Sequence, residues 1–130
     1  MRLLIAGVLL LFGGVAPPEI TGETPEDRDR ARLRAMEEQI QLLIGTATCE
    51  ADAECRSVPV GAKPCGRPWT YQVYSTRVTD SRKLLERVAA HRALNVALNR
   101  KYGWSSDCSV VSEPAVSCRE GRCAQGIGRR

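Results

Sequence analysis

Six cysteines follow residue 48 of this 130-residue chain: Cys49, Cys55, Cys65, Cys108, Cys118 and Cys123. An even count in a small chain behind an apolar leader implies a disulfide framework. The alternatives are poor. Zinc ligands come in close pairs, and only the Cys118/Cys123 spacing approaches that pattern. The chain has a single histidine to contribute. A thiol redox centre would show Cys-x-x-Cys, which is absent. No metal and no cofactor are therefore expected. A bridge from Cys65 to Cys108 would close a loop of about 44 residues, worth ~4 kcal/mol in the chain-entropy model. The other four cysteines either join the first turn to the last hairpin or close local loops, Cys49–Cys55 and Cys118–Cys123. The long-range links are preferred.

The leader MRLLIAGVLLLFGGVA puts one arginine before an apolar run broken by glycines. It is too short and too interrupted for a good spanning helix and reads as a secretory signal over 1–22, with an uncleaved N-terminal anchor as the alternative. A periplasmic or secreted protein follows, with no integral membrane segment once the signal is removed. Loss of Arg2 and Glu19 would leave the formal charge of +4 unchanged. Acidic residues are interleaved with the arginines, so no basic stripe for nucleic acid exists.

Two helices are predicted. Over residues 24–45, Thr24 is a good N-cap, Pro25 suits the first helical position, and Gly45 is a natural stop. Leu33, Met36, Ile40, Leu43 and Ile44 form its apolar face. Arg34 and Glu38 stand one helical turn apart on the charged side. The early half, EDRDRAR, has little to bury and is expected to project or fray. Over residues 79–103, Thr79 or Asp80 caps the second helix and Gly103 ends it. Leu84, Val88, Leu98 and Tyr102 share a face with His91 and Asn95. The His91/Asn95 pair reads as a buried polar couple satisfied by backbone groups, because buried polar groups are nearly always paired. A catalytic His91 is the alternative, and no nucleophile motif accompanies it.

Strands are predicted at Cys55–Val60, near an edge because of Pro59, and at Trp69–Val78. The Trp69/Tyr71 face is expected to be core. Ala115–Arg119 and Arg122–Gln125 flank Glu120-Gly121 as a hairpin. Glu50, Asp52 and Glu54 alternate but lack the glycine and closing glutamate of a calcium loop, so they read as a solvated turn. GAKPCGRPW at 61–69 reads as a hard turn stiffened by prolines.

The segment CEADAECRSVPVGAKPCGRPWTYQVYS, then Asp107-Cys108, Pro114 and CREGRC, resembles a group of small exported bacterial proteins of uncharacterised function. That group carries a GxKPCGGPxxYxVYS-like segment and a Cys-x-x-Gly-x-Cys ending. The match spans residues 49–124, with Arg67 standing where the pattern prefers glycine. The resemblance implies a secreted, disulfide-bearing α+β domain and no catalytic residues.

The expected architecture is α+β: two amphipathic helices on a small, mainly antiparallel sheet, stapled by disulfides. Its parts are a signal at 1–22, an N-terminal helix within 23–48, a disulfide-rich domain at 49–126 and a tail at 127–130. The expected role is a non-enzymatic binding or structural protein of the cell envelope, with an unknown protein or envelope component as partner. The candidate binding loop presents Lys63, Arg67 and Trp69. An inhibitor of a secreted hydrolase, with Lys63 or Arg67 as bait beside a half-cystine, is the alternative. An enzyme using His91 trails both.

Overall fold

The computed structural model describes residues 22–126. The expected signal, apart from Gly22, and the 127–130 tail lie outside the described residues. Helix α1 covers Pro25–Ile44, and Thr24 caps it. The Thr24 hydroxyl accepts the Asp27 amide at 3.1 Å, and the Asp27 carboxylate accepts the Thr24 amide at 3.0 Å. Two otherwise orphaned donors are thereby satisfied together. Gly45 closes the helix at φ +61°, a conformation that costs glycine nothing. A single 3-10 turn at Asp52–Glu54 leads into β1, Cys55–Val60. Then come β2 (Thr70–Ser75), α2 (Ser81–Tyr102), β3 (Val116–Arg119) and β4 (Arg122–Gln125). Asp80 caps α2 and Gly103 ends it in the left-handed region.

The fold is α+β, as expected, but the strands form two antiparallel ribbons rather than one sheet: β1 with β2, and β3 with β4. The second turns at Glu120 and Gly121, both at positive φ. That geometry matches the twist of a two-residue hairpin. The chain leaving α1 runs along β4: Cys123 donates its amide to Ala47 and Cys49 donates to Gly121. The disulfides are Cys49–Cys118, Cys55–Cys123 and Cys65–Cys108. All three are long-range. The first two bind the segment leading into β1, and the start of β1 itself, to the second ribbon.

The core joins Ile40 and Ile44 of α1 to Leu84 and Val88 of α2 and to Val58, Val60 and Tyr74 of the ribbon. Burying a side chain such as Ile40 or Leu84, both fully inaccessible, contributes roughly 1.5–3 kcal/mol. The expected Trp69/Tyr71 face is not the core face. Trp69 remains 46% exposed, and Tyr74, of the opposite parity, is the buried aromatic. The cause is register. Tyr74 sits opposite Arg56 and Gln72 opposite Val58, which puts them on the face of Val58 and Val60 that meets the helices.

The early half of α1 does not project. The Asp29 carboxylate accepts from the Lys101 ammonium and the Tyr102 hydroxyl, each at 2.7 Å. Glu26 accepts from the Trp104 indole at 2.7 Å. The Arg30 guanidinium lies 4.1 Å from the Trp104 ring centroid, and Tyr102 stacks on the same indole. This seam fastens the start of α1 to the end of α2.

Candidate functional site

The 61–69 loop is built from backbone groups that α2 captures. Asn95 accepts the Ala62 amide and Asn99 donates to the Ala62 carbonyl, both at 2.8 Å. Arg92 donates to the carbonyls of Gly61 at 3.0 Å and Gly66 at 2.7 Å. Inside the loop, the Lys63 amide donates to Arg67 and the Gly66 amide to Lys63. Cys65–Cys108 secures its tip. The buried Asn95 therefore has the backbone partner its position requires. Its expected mate, His91, belongs elsewhere: Nε2 lies 3.2 Å from a Glu37 carboxylate oxygen of α1. His91 Nδ1 has no partner among the described residues. With 1% of its surface accessible, the imidazole is buried.

The three residues expected to line the loop divide sharply. Lys63 is 4% exposed. Its ammonium donates to the Ser109 carbonyl and hydroxyl at 2.8 Å, with Asp107 at 3.6 Å and the Trp69 ring centroid at 5.3 Å. A buried cation needs such neighbours, and with them it is a latch across the Cys65–Cys108 bridge, not a presented side chain. The Ser109 amide, with Lys63 nearby, holds the Asp107 carboxyl below its usual range. Arg67 is exposed, but its carbonyl is tied to Lys63 and Pro68 follows it. The loop is thus folded on itself where a protease bait would be extended.

Trp69 is the residue that faces outward from a fixed position. Its indole lies on Gly61, where an added Cβ would come within 2.7 Å of Trp69 Cδ1. Gly61 is at φ +77°, so both its backbone and the ring above it call for glycine. The open side of Trp69 forms the wall of a groove against α1. Its main part is a cavity of about 370 Å³ with Ile40, Val60 and Gly61 beneath it and Arg34, Glu38 and Gln41 of α1 opposite Thr70 and Gln72 of β2. A second hollow of about 220 Å³ continues past Trp69 to Arg30 and Trp104. Glu37, Arg34 and Trp69 border both.

The acidic residues of the turn are each engaged separately. Glu54 accepts the amides of Glu50 and Ala51, which lowers its carboxyl pKa, Asp52 accepts the Cys118 amide, and Glu50 pairs with Arg77. The sulfurs of Cys49, Cys55 and Cys123 lie within 4.8 Å of one another, and all three belong to disulfides. No helix among the described residues is long and apolar enough to cross a membrane. Comparison with protein-family models, curated proteins and solved structures finds no match for this chain.

Proposed function

We propose that this is an exported, non-enzymatic binding module that captures a partner in the groove between α1 and the Trp69 end of β2. The carrying observation is the state of Trp69: half exposed, yet seated on a glycine and held by a loop anchored through a disulfide and four side-chain bonds to α2. A large aromatic fixed in advance loses little entropy on binding, which is how recognition surfaces gain affinity. Three long-range disulfides support residence in an oxidising compartment. The buried His91 and Lys63 support a module without catalytic chemistry.

The test is site-specific photo-crosslinking in the native envelope. A photoreactive residue at Gln72 or Gln41 should yield a defined adduct, lost on Trp69→Ala. The same residue at Arg82, exposed on the first turn of α2 and outside the groove lining, should yield none. Equal adducts from both places, or none from the groove, would overturn the reading.

A further inference from the structure

We infer that the groove's occupant is an extended segment of a partner protein, added as a third strand along the free edge of β2. This rests on the binding reading above and specifies what is bound.

The hydrogen-bond parity of the ribbon defines the edge. Thr76 donates to Glu54, while Cys55 donates away from β2, to Asp52. The pairs Arg56/Tyr74 and Val58/Gln72 are therefore the bonded ones, and Cys55/Ser75, Ser57/Val73 and Pro59/Tyr71 are not. It follows that Tyr71 and Val73 turn their amides and carbonyls outward, and among the described residues no backbone partner meets them. The opposite edge, on β1, carries Pro59, a residue that blocks strand addition. Natural sheets guard open edges with proline, lysine or a bulge. TYQVYS on β2 has none of these.

The groove lies on the α1 side of the same strand, lined by Thr70 and Gln72, the neighbours of the outward-turned Tyr71 and Val73. α2 packs over β1 and α1 over β2, and the cavity lies between α1 and the Thr70/Gln72 side chains. A strand added there would point alternate side chains at α1. Two charges of α1 on the groove wall, Arg34 and Glu38, have no ion-pair partner among the described residues. They stand four residues apart on a helix, about 6 Å. Two residues of a strand advance about 6.6 Å. A base and an acid at alternate positions of an extended peptide thus match them, and the next position on that side falls at Trp69. In the antiparallel sense, which pairs slightly more stably, the segment reads Lys-x-Glu-x-Leu, with the leucine on the indole. Backbone bonds would supply affinity and the side-chain pockets specificity, the mode of strand addition.

The experiment uses the full mature protein and a set of capped seven-residue peptides. Threonine alternates with Lys, Glu or Leu at the three positions facing α1, and Trp69 emission reports binding. The Lys-x-Glu-x-Leu order should bind tightest. N-methylation of the peptide amides that face β2 should weaken it at least tenfold with the protein unaltered. Arg34→Glu should weaken it similarly, and replacing the peptide's Glu by Lys should restore binding to that variant. If no peptide binds, or N-methylation changes nothing, strand addition is refuted, while groove crosslinks at Gln72 would still support the binding reading. Concentration-dependent dimerisation abolished by Trp69→Ala would make a second copy the occupant and refute a foreign segment. Absence of both peptide binding and groove crosslinks would overturn both readings.

Discussion

Replacing Cys65 and Cys108 together by serine should cost about 3 kcal/mol, less than the bridge would contribute alone. Its direct loop spans 43 residues, which in isolation gives ~4 kcal/mol. The bridge is nested, however, inside Cys55–Cys123. With that bond closed, a second route between the same two residues runs from Cys65 back to Cys55 and from Cys123 back to Cys108, roughly 25 residues of chain. Two routes in parallel hold the ends together like a loop of roughly 16 residues, hence ~3 kcal/mol. The loop should stay seated, because Arg92, Asn95 and Asn99 hold its backbone independently of the bridge. The assay is urea unfolding with the other two disulfides intact, followed by tryptophan emission. A lower midpoint is expected, with a slightly steeper slope because the freed denatured chain exposes more surface. A loss under about 1 kcal/mol would refute the chain-entropy argument. Disordered 61–69 resonances in the native variant would refute the claim that α2 holds the loop.

Three further perturbations test the rest of the fold. Gly61→Ala forces a Cβ toward Trp69 at φ +77°. Left-handed strain of about 1–2 kcal/mol and crowding of about 1–3 kcal/mol should combine with a shift in Trp69 emission, and unchanged emission and stability would contradict the packing described. Asn95→Ala orphans the buried Ala62 amide and should cost about 1–3 kcal/mol in thermal or urea unfolding; a neutral result would mean water replaces it. Glu26 and Asp29 have carboxyl pKa values lowered from 4.5 and 3.8, chiefly by the Trp104 indole and by Lys101. A lowered folded value gives stability that is complete above those ordinary values and is lost as pH falls through the folded ones. Melting temperature should therefore drop on acidification below pH 4.5, less steeply for Glu26→Gln with Asp29→Asn, and equal slopes would remove the seam from the account.

The helix ends were legible because caps are local: Thr24, Pro25, Asp80 and Gly103 act within one turn of chain. The long-range disulfides were legible in kind, and only the fold chose among pairings. The wrong face of β2 has a specific cause. Trp69-Tyr71-Val73 and Thr70-Gln72-Tyr74 both alternate credibly, and the choice rests on Val58 and Val60 of another strand. The start of α1 looked unemployed because its partners, Lys101, Tyr102 and Trp104, lie more than 70 residues away. Of the candidate loop, Trp69 and Arg67 are exposed. Lys63 is buried instead, because a lysine is placed outside by its type, and only tertiary structure brings Ser109 to its ammonium. The groove had no sequence signal, since α1 and β2 meet only in space.

The disulfide pattern also bears on how the chain reaches its native state. Synthesis exposes Cys49 and Cys55 first, yet neither is the other's partner; they await Cys118 and Cys123 at the far end. An oxidant acting on the emerging chain meets two nearby thiols that must not remain joined. Productive maturation then requires oxidation delayed until the last hairpin is present, or an isomerase to undo a premature Cys49–Cys55 bond. Yield would follow the balance of oxidation against reshuffling rather than the stability of the finished molecule.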